Sequence, residues 1–313
     1  MKQRSHQYWL IFSVDPLSLK RLEAEQHQWE SPEESGVHFK GVHSLEVCLD
    51  HYASCYECEV EIIDEVLARN TLISISKSLC CDFCVIGPGS GVERVALAVF
   101  DMDSTLIPME VIDELAKEAG VANEVASITE LAMQGELDFN QSFEQRLGLL
   151  KGMPEQAVDK VLQRIQFNSG VESFLNWLDS SGADIGIASG GFDVFAQELS
   201  ERVAFNEVNS NRLHFRDGKL TGIAHRPIVN ATVKAESLKQ WRQSRGLRRE
   251  ETIAVGDGAN DLLMLKEAGF GVAYKAKPLL QKEADCVLQF GEMDALSDIL
   301  PIVVSYGNKK SPS

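Results

Sequence analysis

The stretch from Val95 to Ile107 constrains this chain most. Val95 to Phe100 is an unbroken apolar run, which suits a strand buried on both faces of a parallel sheet. Asp101 and Asp103 follow at once, at the carboxyl end of that strand. In open α/β sheets that end is where ligands bind. Asp-x-Asp alone carries little, because aspartate is common in turns. Its weight comes from repetition. A second strand-like run, Ala183 to Ser189, ends in Ser189, Gly190 and Gly191. A third, Glu251 to Asp257, leads into Gly256, Asp257, Gly258, Ala259, Asn260 and Asp261. Independent turns would not be expected to place a polar cluster at the end of all three.

Helices are expected between the first and second runs. Pro108 suits a first helical turn, and Gly120 can close the helix that carries Glu110 to Ala119. Three more are expected around 121–134, 139–151 and 155–166, with Asp138 and Gln141 as a capping box and Pro154 at the start of the last. In the 139–151 helix Phe139, Phe143, Leu147 and Leu150 form an apolar stripe with Arg146 on its edge. That arginine reads either as a snorkelling side chain or as a guanidinium aimed at a carboxylate in a closed pocket. Together these helices make a compact insertion of about 55–60 residues, the size of a lid. Beyond the second run, 212–223 reads as a hairpin with Asp217 and Gly218 at its tip. Asn230 reads as an N-cap that puts Lys234 in a first helical turn, where a cation opposes the dipole. Lys234 is then either a tolerated surface lysine or one held there to grip a phosphate.

The 313 residues allow about two domains. Residues 1–92 read as a separate small α+β unit. Strands are expected at 8–14, 44–49, 72–76 and 83–86, and helical spacing at 60–68, before a glycine-rich linker at 87–91. Six of the seven cysteines lie there, with Cys-x-x-Cys spacing at Cys55/Cys58 and Cys81/Cys84. Buried reduced thiols are favoured over a structural zinc, because strand residues three apart point to opposite faces. The net charge of −17 argues against a nucleic-acid surface and demands a local cationic pocket for any anionic substrate. The start, Met1 to Trp9, holds no signal-peptide core, and no apolar run is long enough to span a membrane. A cytoplasmic protein is expected, with residues 307–313 as a frayed tail.

The chain carries four ordered motifs: Asp101 to Ile107, Ser189 to Phe192, Lys234, and Gly256 to Asp261. With the helical insertion between the first and second, residues 95–290 resemble the phosphoserine phosphatases of the haloacid dehalogenase-like superfamily. The resemblance implies a doubly wound, Rossmann-like parallel sheet with a helical cap at about 109–168, within a catalytic core at 93–306. It implies an ACT-like N-terminal unit only faintly. It further implies magnesium-dependent hydrolysis of O-phospho-L-serine, the last step of serine biosynthesis, through an aspartyl-phosphate. Asp101 would be nucleophile and metal ligand, and Asp103 acid/base and metal ligand through its carbonyl. Asp257 would complete the metal site, supported by Asp261. Glu110, Met133, Phe139, Arg146, Ser189, Gly190, Lys234 and Asn260 would bind substrate. A homodimer is compatible with the resemblance, and neither nucleic acid nor membrane is an expected partner. A broader phosphomonoesterase or phosphotransferase is the alternative within catalysis. A silent amino-acid sensor is the alternative outside it, which the intact Asp101, Asp103, Lys234 and Asp257 argue against.

Overall fold

The computed structural model describes residues 5–15, 18–25, 31–87 and 92–309. The chain runs through β1 (Ser5–Ser13), α1 (Ser18–Glu25), α2 (Pro32–Ser35), β2 (Val37–Leu45), β3 (Ser54–Ile62), α3 (Glu65–Leu79) and β4 (Asp82–Ile86). It continues with β5 (Leu97–Phe100) and the four helices α4 (Val111–Ala119), α5 (Ala122–Met133), α6 (Phe139–Leu149) and α7 (Gln156–Leu162). Then come α8 (Val171–Ser180), β6 (Asp184–Phe192), α9 (Asp193–Ser200), β7 (Glu207–Asn211), the small hairpin β8 (Phe215–Arg216) and β9 (Lys219–Leu220), and α10 (Ala231–Ser244). The last part holds β10 (Thr252–Gly256), α11 (Leu262–Glu267), β11 (Phe270–Tyr274), α12 (Pro278–Glu283), β12 (Cys286–Leu288) and α13 (Leu296–Lys309).

Ten strands form one sheet in the order β2-β3-β1-β4-β12-β11-β10-β5-β6-β7. From β12 to β7 every pairing is parallel. β5 sits in the interior of that half, as its unbroken apolar run requires. Ala98 and Phe100 pack into one core cluster and Leu97 and Val99 into the other, on opposite faces. The first three polar clusters therefore emerge side by side at the carboxyl ends of β5, β6 and β10. The hairpin tip is as expected: Asp217 and Gly218 both take positive φ, 52° and 70°, the conformation of a tight type I′ turn.

The N-terminal strands pair antiparallel among themselves, and β4 then pairs antiparallel with β12. The sheet is thus continuous from the N-terminal segment into the parallel half. Asp82, at the start of β4, ties this joint. Its carboxylate accepts from the Tyr52 hydroxyl at 2.6 Å and from the backbone N–H groups of Gln289, Phe290 and Gly291 at 2.6, 2.9 and 2.8 Å.

Several N-terminal expectations change. The strand expected at 44–49 lies earlier, as β2, and reaches only Leu45. The 60–68 stretch joins two elements rather than forming one helix. Val60 and Ile62 end β3, and Asp64 accepts from the N–H groups of Val66 and Leu67 to start α3. Residues 72–76, expected as a strand, lie inside α3, where Ala68, Leu72, Ile75 and Leu79 form its buried face. Cys55, Cys58, Cys81 and Cys84 are free and buried, and burial pushes the Cys55 and Cys58 thiols up to about 12. The expected linker lies, except for Gly87, outside the described residues, as do residues 310–313 of the tail; α13 extends to Lys309. Among the described residues no helix is long and apolar enough to cross a membrane.

Candidate active site

β5 delivers Asp101 into the sheet's carboxyl end, where its Oδ1 accepts from the Met102 N–H at 2.7 Å. Opposite it stands Lys234 in the first turn of α10, whose N-cap Asn230 accepts from the Val233 N–H. The Lys234 ammonium is fully buried and pairs with Asp101 Oδ1 at 2.8 Å and Asp261 Oδ1 at 2.7 Å. The surface reading of this lysine is thereby excluded. The other oxygen of Asp261 accepts from the Asp257 and Gly258 N–H groups at 3.2 and 3.0 Å, which fixes the loop after β10. Asn260 lies over that loop, its Oδ1 only 2.4 Å from where a Cβ on Gly258 would stand. A side chain at Gly258 would displace the Asn260 amide.

Carboxylate oxygens of Asp101, Asp257 and Asp261 gather within 4.8 Å of one another. Three buried carboxylates face one buried ammonium, so the cluster carries an uncompensated charge that a divalent cation would cancel. The strain shows in the carboxyls themselves. Burial and then the Asp261 carboxylate push Asp101 up to about 8, against the pull of Lys234. Burial and then Asp261 push Asp257 up to about 6. All the donors are hard oxygens, the set that suits a cation of the magnesium or calcium type. The residues therefore fit a divalent metal.

Asp103 stands apart from that oxygen cluster. Its Oδ2 accepts weakly from the Val111 N–H at 3.4 Å, while Oδ1 is buried without a partner among the described residues. Burial first, then Glu110 and Asp101, raise its carboxyl well above the usual range. Gly191 lies against it: a Cβ there would be 3.1 Å from both carboxylate oxygens. The chain bulges at this point, between Ser189 and Phe192 of β6. Ser189 is buried, its Oγ accepting from the Gly191 N–H at 3.0 Å, and Asn211 holds the Gly190 carbonyl at 2.9 Å.

The cap closes over this floor. Phe139 begins α6 behind the Asp138–Gln141 capping box and reaches Gly190, whose Cβ would meet Phe139 Cζ at 3.0 Å. Glu110 stands at the N-cap position of α4 without a side-chain capping bond, and its Oε1 accepts from Ser104 Oγ at 2.9 Å. Arg146 is half-buried among the carboxylates of Asp113, Glu110 and Asp103, with only a long bond from its Nε to the Ser142 carbonyl at 3.4 Å. Met133, by contrast, is 78% exposed at the end of α5, and nothing here brings it to the cluster. Sequence reading missed three participants. Ser104, held at φ 57°, positions Glu110; Asp113 shares the Arg146 environment; and Lys277 comes within 4.0 Å of Asp257. Asp113 lies one helical turn from Glu110, a spacing that could have found it. Lys277 carried no comparable signal.

Comparison with known proteins decides the family. The haloacid dehalogenase-like hydrolase family matches residues 98–266, more than half of the chain.

This chain belongs to the haloacid dehalogenase-like hydrolases.

Within that family, a phosphoserine phosphatase of Streptococcus thermophilus is 47% identical over 192 residues, covering 61% of this chain and 89% of the relative. Among solved structures, a haloacid dehalogenase family hydrolase from Salmonella enterica serovar Typhi superposes with a TM-score of 0.76 at 29% identity. That match covers 95% of this chain and 98% of the other. A probable phosphoserine phosphatase from Vibrio cholerae gives a TM-score of 0.73 at 33% identity, covering 97% and 89%. Enzymes of this family that act as phosphatases generally use a divalent metal, and the aspartate cluster meets that need.

Proposed function

We propose that this hydrolase is a phosphoserine phosphatase, releasing L-serine and phosphate from O-phospho-L-serine. The observation that carries the reading is the contrast between two aspartates two residues apart. Asp101 is gripped by a buried lysine, while Asp103 is buried, unpartnered at Oδ1 and poised to hold a proton. Burial raises both carboxyls, and what separates them is the partner: a cation beside the nucleophile and, among the described residues, none at Oδ1 of the general acid.

Asp101, the Asp103 main-chain carbonyl and Asp257 would hold a magnesium ion, steadied by Asp261, and the ion would neutralise phosphoryl charge. A carboxylate oxygen of Asp101 attacks phosphorus as the bond to the serine oxygen breaks, giving an aspartyl-phosphate. Asp103 gives its proton to the departing oxygen. Asp103, now ionised, takes a proton from water as that water attacks phosphorus, and the bond to Asp101 breaks to free phosphate. Lys234, Ser189 and the Gly190 N–H stabilise the phosphoryl oxygens, with Asn260 helping to seat the group. Arg146 pairs the substrate carboxylate and Glu110 its ammonium. Phe139 closes the apolar side of the pocket, and Met133 is assigned to the substrate side of the lid.

The same reading places the protein in the cytoplasm, at the last step of serine biosynthesis. It divides the chain into an α+β unit at 1–92, open to a regulatory role, and a catalytic core at 93–306, capped at about 109–168, and it is compatible with a homodimer. The test is hydrolysis of O-phospho-L-serine by the purified chain with magnesium, followed by acid quench and separation of a phosphoenzyme. Phosphate release with a trapped, alkali-labile phosphoenzyme is expected. Hydrolysis of aryl phosphate but not of phosphoserine would replace the reading with a broader phosphomonoesterase.

A further inference from the structure

A cavity of about 420 Å³ lies away from the catalytic cluster, where the β1–β3–β4 face and α3 meet the end of α12. Arg69 enters it from α3, its Cζ 5.9 Å from the centre of the Phe83 ring. The Nη1 atom of Arg69 is buried and has no hydrogen-bond partner among the described residues. Asp285 and Glu283 favour the Arg69 charge from nearby, and neither bonds to Nη1. Glu283 Oε2 pairs with Lys266 at 2.9 Å, and Asp285 Oδ2 accepts from the Gly271 N–H at 2.8 Å.

A buried guanidinium N–H with nothing to donate to is costly, and a small turn of the Arg69 side chain at the cavity wall would give it an acceptor held there. The planar fork of an arginine matches a carboxylate best. The other charged groups lining the cavity are Glu65, Glu283 and Lys282. Two cations and two carboxylates balance, which leaves no surplus of positive charge for a dianion such as phosphate, and the single guanidinium of Arg69 is what a monoanion would meet. Trp9, Leu72 and Val85 supply an apolar wall, so the occupant has an apolar body as well. We propose that this cavity binds a small organic monocarboxylate with a short aliphatic body, its carboxylate on Arg69.

The test is calorimetric titration of the full chain with 4-methylpentanoate and 4-methylpentan-1-ol. The carboxylate should bind saturably below about 10 mM, and the alcohol should bind at least about tenfold more weakly. Arg69→Gln should weaken the carboxylate by about tenfold or more. Val66→Trp, at an exposed position on the cavity's rim, should do the same without touching the core, and covers the case in which Arg69→Gln does not fold. Arg146→Ala should leave this binding unchanged, since its guanidinium belongs to the catalytic pocket. No saturable binding of 4-methylpentanoate would overturn the proposal. Equal binding of the alcohol would do so too, as would binding that survives Val66→Trp but is lost in Arg146→Ala.

Discussion

Asp101 and Asp103 differ by what surrounds them, and their substitutions should differ accordingly. Asp101→Asn should leave no trappable phosphoenzyme. Asp103→Asn keeps the nucleophile but loses the proton carrier, so it should slow turnover by about 10²–10⁴-fold. A wild-type amount of phosphoenzyme from Asp101→Asn would move the nucleophile to another residue. Arg146 tests specificity at the same scale. Its guanidinium is half-buried with no carboxylate at ion-pair distance among the described residues, so it is free to take one from a substrate. Arg146→Ala should cost about 2–5 kcal/mol in kcat/KM for phosphoserine. The loss should be small for an aryl phosphate that has no carboxylate. Equal losses on both substrates would mean that Arg146 only holds the cap together. Most of this site could be read from residue order alone, because strand ends deliver their side chains to one place. Arg146 could not be decided that way: an edge-of-stripe arginine snorkels or points inward according to the partner element, which its own helix does not specify. Met133 shows the same limit from the other side, exposed here despite its position in the cap.

Elements were legible where one period ruled and obscure where two met. The cap helices fell close to their expected bounds because each had its own punctuation, such as the Asp138–Gln141 box before α6 and Gly120 after α4. The α3 region misled because Leu72, Ile73, Ser74, Ile75 and Ser76 alternate like a strand, while Leu72, Ile75 and Leu79 also recur at helical spacing. Asp64 resolves the conflict by capping, a local bond that outranks the weak strand preference of two isoleucines. The capping box of α6 gives a prediction at this scale. Asp138→Ala should cost about 1 kcal/mol in denaturant unfolding. Because α6 carries Phe139 and Arg146, the same change should raise KM for phosphoserine more than it lowers kcat. A pure kcat effect would detach the helix start from substrate binding.

For the whole molecule, the aspartate cluster couples stability to pH and metal. The carboxyls of Asp257 and Asp101 sit above their ordinary values, at about 6 and about 8. Groups raised in the fold favour it below their unfolded values and oppose it as pH climbs through the folded ones. The chelated protein should therefore melt lower at pH 8.5 than at pH 5.5, and millimolar magnesium should shrink that difference by binding the ionised cluster. A pH difference untouched by magnesium would separate the cluster from metal binding. The joint between β4 and β12 was not legible in the sequence, since nothing in a strand names its neighbour across a sheet. It has a consequence for any shortened version of this protein. Here β12 is only Cys286–Leu288, and its outer row of amide and carbonyl groups is covered by β4. Cutting the chain at residue 92 would uncover that row and free the three N–H groups that Asp82 now satisfies. The excised core should become adhesive, self-associating in light scattering at concentrations where the intact chain is monodisperse.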